Sequence, residues 1–155
     1  MSFIVSGLDP QPFANLFSLD DEALARKNAQ RVVVDAEVGF PCRVTLDDAP
    51  VGSTMLLLNY EHQPAPTPYR ASHAIFVSES SARTQLRDQI PPALSRRMLS
   101  LRAFDRNGNM TDATIVQGAE SKPEIERMLS DTGNEYIHAH YAARGCFAAT
   151  ITRAS

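Results

Sequence analysis

Apolar positions along this chain come in short runs separated by turn residues, with few stripes long enough for an extended helix. Phe3–Ser6 predicts a first strand, which Asp9, Pro10 and Pro12 interrupt. Phe13, Leu16 and Phe17 then fall at helical spacing, enough for one apolar turn. The pattern Ser18-x-x-Asp21, a relative of the capping box, predicts a helix over 19–28. Val32, Val33 and Val34 predict a buried strand across 31–36, and a turn at Gly39-Phe40-Pro41-Cys42 leads into another across 43–46. Four consecutive aliphatics, Met55 to Leu58, predict a strand over 53–60 that is covered on both faces. Its polar tail ends at His62, after which Pro64, Pro66 and Pro68 stiffen a loop.

A strand over 73–77 follows, and then 78–89, polar and aperiodic, is the candidate mobile segment. Pro91-Pro92 suits the first turn of a short helix reaching 97. Residues 99–105 and 110–116 form a hairpin around Asn107-Gly108. Ser121 and Glu124 make a capping box ahead of the apolar stripe Ile125, Met128 and Leu129. Residues 135–142 and 146–152 close the chain as a second hairpin. Strands joined by hairpins, with two or three short helices among them, predict an α+β fold with a mainly antiparallel sheet. The length of 155 residues predicts one domain, 1–155.

Charge narrows the function. The net charge of −3 comes without a basic stripe, which argues against a nucleic-acid surface. Of the 15 basic residues only Lys27 and Lys122 are lysine, and arginine suits planar recognition of carboxylate and phosphate. No apolar run approaches membrane-spanning length, and the N-terminus lacks a leader pattern, so a soluble cytoplasmic protein with free thiols is expected. All seven glycines are isolated, which leaves no phosphate-cradling loop and no nucleotide-cofactor motif.

Chemistry-bearing residues gather in two stretches. The first, 40–77, holds Cys42, Arg43, His62, Tyr69, Arg70 and His73. The second holds Tyr136, His138, His140 and Cys146. On a strand, His138 and His140 point to one face and can ligate one metal, with Cys146, Cys42 or His73 completing the set. A three-residue loop at 143–145 puts the Cys146 thiol with the histidines, and a two-residue loop puts it on the other side. Arg102 lies mid-strand; alternation groups it with Ser100 and Phe104, opposite Leu99, Leu101 and Ala103.

Convergence of Arg43, Tyr69, Arg70 and Arg102 with His73, His138 and His140 would create a small-anion pocket, with the three histidines as candidate proton-transfer groups. The tripeptides His73-Ala-Ile and His138-Ala-His lack the hydroxyl residue of the two-histidine phosphoesterases. Cys42 lacks a recognisable cysteine-hydrolase signature. The competing expectation is a non-catalytic interaction or homodimerisation module that uses the loop at 64–68.

Five motifs carry a resemblance. Gly39-Phe-Pro-Cys-Arg43, Leu57-Leu-Asn-Tyr-Glu-His62, Pro68-Tyr-Arg-Ala-Ser-His-Ala-Ile-Phe76, Leu99-Ser-Leu-Arg-Ala-Phe-Asp105, and Tyr136-Ile-His-Ala-His140 with Gly145-Cys146 occur in this order. Together the chain resembles the bacterial family known as domain of unknown function 1203, from the first strand to the last hairpin. That resemblance implies a single-domain bacterial protein and brings no activity, cofactor or catalytic residue.

Overall fold

The computed structural model describes residues 1–80 and 82–155. Its nine strands form two antiparallel sheets, so the fold is α+β with mainly antiparallel strands. The strands are β1 (Phe3–Ser6), β2 (Ala29–Val33), β3 (Thr54–Gln63), β4 (Ala71–Ser78), β5 (Gln85–Arg87), β6 (Met98–Phe104), β7 (Met110–Gln117), β8 (Tyr136–Tyr141) and β9 (Phe147–Arg153). The larger sheet runs β5-β1-β9-β8-β6-β7 and the smaller runs β2-β3-β4. The helices are α1 (Asp21–Arg26), α2 (Pro92–Ser95) and α3 (Lys122–Ser130), with 3-10 turns at Gln11–Ser18 and Gly118–Glu120.

Alternation divides the large sheet into an apolar face and a polar one. Leu99, Leu101, Ala103, Ile137, Ala139 and Ile151 are all fully buried, in one core with Ile125, Met128 and Leu129 of α3. The predicted stripe of α3 is therefore the face that docks. Ser100, Arg102, His138, His140 and Thr150 occupy the alternate positions, in register across β6, β8 and β9. The small sheet has its own core, in which Met55, Leu56, Ile75 and Val77 pack with Leu24 and Phe13. Tyr60 and His62 of β3 reach Phe147 of β9, with ring centroids 6.1 and 5.3 Å apart, so the small sheet meets the polar side of the large one.

Several local expectations change. Residues 43–46 form a turn, held by Leu46 N–H donating to the Cys42 carbonyl and by bridges from Pro41 to Asp48 and from Cys42 to Phe76. Strand β2 is an edge strand with Val33 exposed and Val34 just beyond it buried, so the valine run is not buried throughout. Asp20 caps α1 by accepting from Ala23 N–H, in place of Ser18. At α3 the capping box does not form: the Ser121 hydroxyl donates to the Gly118 carbonyl, and Glu124 takes Arg127.

The segment 78–89 is largely anchored. Strand β5 pairs with β1, and Asp88 accepts from Ser2 Oγ and Phe3 N–H. Within that segment Ser81 lies outside the described residues. The hairpin at Asn107-Gly108 closes through Asp105, whose carboxylate accepts from Asn107 and Asn109 N–H, and Gly108 supplies the positive φ of 84°.

Candidate functional site

All four histidines converge between the two sheets. His138 and His140 share the polar face of β8 because two strand residues two apart point the same way. Strand β3 runs three residues beyond its predicted end, and a bulge between Glu61 and Gln63 breaks its alternation. Glu61 faces solvent there, whereas His62 and Gln63 are both buried. That irregularity brings His62 down onto β8 and β9. His73 on the neighbouring β4 pairs with Tyr60 and follows it.

The rings are close. His62 and His140 centroids lie 4.9 Å apart, His62 and His138 5.8 Å, and His73 and His140 5.3 Å. The His62 ring is nearly parallel to those of His73 and Phe147, with centroids 4.7 and 5.3 Å away. One ring nitrogen each from His62, His138 and His140 falls within 4.8 Å of the others. These three residues are buried, and His62 Nδ1, His138 Nδ1 and His140 Nε2 have no protein hydrogen-bond partner among the described residues.

The opposite nitrogens of two rings are occupied. His140 Nδ1 lies 2.9 Å from the Gly145 carbonyl, which only accepts, so Nδ1 carries the proton and Nε2 keeps its lone pair. His62 Nε2 lies 2.7 Å from His73 Nδ1.

Burial keeps the imidazoles neutral. It pulls His62 down to about 4, helped by the charges of His73 and Arg102. It pulls His138 and His140 to about 3, again with Arg102 adding to the effect. His73, more open, is also lowered by burial and then by Arg102 and Arg43. His62 and His138 line a cleft of about 730 Å³ with Gln63, Tyr136, Thr150 and Arg153. In that cleft Gln63 Nε2 donates to the Tyr136 hydroxyl at 2.8 Å.

The remaining candidates separate from this cluster or serve the framework. Arg43 is fully buried, and its guanidinium donates to the carbonyls of Phe147 and Pro41 at 2.7 and 2.6 Å and to Cys146 Sγ at 3.1 Å. Arg70 pairs at the surface with Glu61, and Tyr69 is exposed with its ring edge-on to Phe104. Cys146 lies in a turn longer than either loop considered from the sequence: Tyr141 N–H donates to the Cys146 carbonyl, and Phe147 pairs with His140. The thiol packs partly on the apolar core, and the converging trio contains His62 in its place.

Cys42 is buried too, with Sγ 2.9 Å from Ser78 Oγ. Burial pushes its thiol up, but hydrogen bonds from Ser78 and Thr45 outweigh that and leave it below the ordinary value. Arg102 stands opposite His138, on the same polar face, with Nε donating to Ser100 Oγ at 3.2 Å. Alternation located Arg102 and the His-x-His pair correctly. His62 was the missing member, and its only signal was a histidine in the polar tail of a strand that kept going.

The loop at 64–68 lies against the hairpin tip, where Thr67 Oγ1 donates to the Gly108 carbonyl. Among the described residues no helix is long and apolar enough to cross a membrane.

A family model described as "Protein of unknown function (DUF1203)" matches residues 39–153, and the chain belongs to that family. The matched span takes in all four histidines and Arg102 and starts after β2, so β1 lies outside it. No curated protein and no solved structure matches the chain.

Proposed function

We propose that this DUF1203 protein binds one divalent transition-metal ion through His62, His138 and His140, with a fourth coordination position open to a small ligand. The observation that carries the reading is three buried histidines that bring one ring nitrogen each within 4.8 Å of the others, each of which also holds a buried nitrogen without a protein partner among the described residues. A buried polar atom left unpaired costs about 1–3 kcal/mol, and each of the three rings carries one. A cation accepting all three lone pairs removes it.

The donor set supports an imidazole-favouring metal such as zinc. The trio contains neither thiolate nor carboxylate, and three histidines with one open position is a recurrent arrangement in catalytic zinc sites. Nitrogens about 2.0–2.1 Å from zinc in a tetrahedron stand roughly 3.4 Å apart, so rings now within 4.8 Å close by at most about 1.4 Å. The polar contacts behind the ring atoms suit the same role. Gly145 fixes the His140 tautomer, and His73 accepts from Nε2–H of His62 when its Nδ1 ligates. A cleft lined by two of the three histidines, His62 and His138, lies beside the trio, and its volume falls within the usual range for ligand sites.

Untagged protein stripped with chelator and dialysed against zinc tests the reading. Elemental analysis is expected to give about one zinc per chain, falling to near zero in His62→Ala and His140→Ala. A folded wild-type protein that retains no metal above background overturns it.

A further inference from the structure

We infer that the ligand taken up at this centre is a small oxyanion, a carboxylate or a phosphate, recognised by Arg102. The inference rests on the metal reading and adds the chemical class of what binds there. Charge is the first argument. Three neutral imidazoles leave a divalent ion with its full charge of +2, because the trio includes no carboxylate. Arg102 adds a further positive charge, directly opposite His138 on the adjacent strand. Two cationic groups on one polar face repel each other unless an anion joins them, and a bidentate oxyanion satisfies both.

The second argument is the state of Arg102 itself. Five arginines are buried or half-buried, and four have carboxylate or carbonyl acceptors. Arg31 uses Asp21 and two carbonyls, Arg43 two carbonyls, Arg97 Asp48, and Arg153 three carbonyls. Arg102 has only the Ser100 hydroxyl, and no acid lies within 4.0 Å of it among the described residues. A half-buried guanidinium with a single neutral acceptor has lost water without gaining a counter-charge.

Register supplies the third argument. Arg102 is directly opposite His138, and Ser100 is directly opposite His140. The guanidinium, the hydroxyl and two of the ligating imidazoles therefore form a two-by-two block on adjacent strands. Directly opposed side chains begin about 5 Å apart at Cβ, a span that one carboxylate or phosphate group bridges.

Cobalt is the probe of the metal, because its visible spectrum reports coordination, and acetate and inorganic phosphate are the probes of the anion. Cobalt-loaded wild-type protein is expected to show a saturable spectral change with at least one of them. In Arg102→Gln the anion affinity is expected to fall at least tenfold while cobalt stoichiometry stays at one, and Arg102→Lys is expected to recover part of the loss. Equal anion affinity in wild type and Arg102→Gln, or a cobalt spectrum that neither anion changes, overturns the oxyanion and leaves the metal centre standing. Failure of the wild-type protein to bind cobalt removes both.

Discussion

His62 and His73 lie eleven residues apart in sequence, yet Nε2 of one and Nδ1 of the other are 2.7 Å apart, on adjacent strands. The contact is off the direct register, since His73 pairs with Tyr60, and it exists because the bulge after Glu61 shifts His62 along the ladder. It occupies Nε2 of His62 and leaves Nδ1 as the ring nitrogen without a protein partner among the described residues. Removing it with His73→Ala leaves the three ligands in place but frees the ring. Metal affinity is then expected to fall about 10- to 100-fold with the stoichiometry unchanged, measured by competition against a chromogenic chelator. An unchanged affinity means that His73 does not orient its neighbour.

Acid should weaken the metal-free protein before its carboxylates titrate. In the unfolded chain each histidine titrates near 6.5, whereas His62 does so at about 4 and His138 and His140 at about 3 in the fold. Between those values the unfolded state binds more protons, so stability is full above about pH 7 and declines as pH falls through 6.5 toward 4. Arg102 on β6 and His73 on β4 face these rings and strengthen the effect, while Glu61 opposes it at His62. Asp48, held low by Arg97 and Arg96 against its own burial, adds to the loss only below about pH 4. Unfolding free energies of chelator-stripped protein from urea titrations at pH 7 and 4.5 are expected to differ by a few kcal/mol, with the lower midpoint at pH 4.5. Equal midpoints would mean that the buried rings protonate freely.

How much of this was legible in the sequence depends on the range over which each feature is determined. Local alternation was enough for β6, and it sorted Leu99, Leu101 and Ala103 from Ser100 and Arg102 correctly. It also placed His138 and His140 on one face. The α3 stripe was legible for the same reason. What failed was set by contacts distant in sequence. The turn at 43–46 has strand-like composition, yet Arg43 is drawn inward to the carbonyl of Phe147, 104 positions away. His62 joined the site through a bulge that leaves no mark in the alternation before it. The side of Cys146 depends on loop length, and the turn is longer than both of the lengths the sequence suggests.

Arg43 is expected to matter for folding, because its donors are committed to the protein. Its guanidinium joins the turn at Pro41 to β9 at Phe147 and lies 4.9 Å from the centre of the Tyr141 ring. Arg43→Met keeps most of the apolar volume but leaves both carbonyls without their donor. At about 1–3 kcal/mol for each buried unsatisfied group, the expected loss is about 3 kcal/mol or more. Denaturant unfolding measures it. A loss below about 1 kcal/mol would show that water replaces the guanidinium and that Arg43 is not holding the two segments together.

Cys146→Ser separates the trio seen here from a set completed by Cys146, one of the three options the sequence leaves open. The thiol is held by Arg43 Nη2 at 3.1 Å and packs partly against the apolar core. A serine hydroxyl keeps the acceptor for Arg43, so the fold should lose little, about 1 kcal/mol or less. A hydroxyl is also a much poorer zinc ligand than a thiolate. If Cys146 ligated the metal, the substitution would therefore strip it while leaving the protein folded. With His62 as the third ligand, Cys146→Ser is expected to retain one zinc per chain with an affinity within about threefold of wild type. His62→Ala, prepared alongside it, is expected to retain none. Loss of zinc from Cys146→Ser with retention in His62→Ala would transfer the third ligand position from β3 to the turn before β9 and require that turn to rearrange on binding.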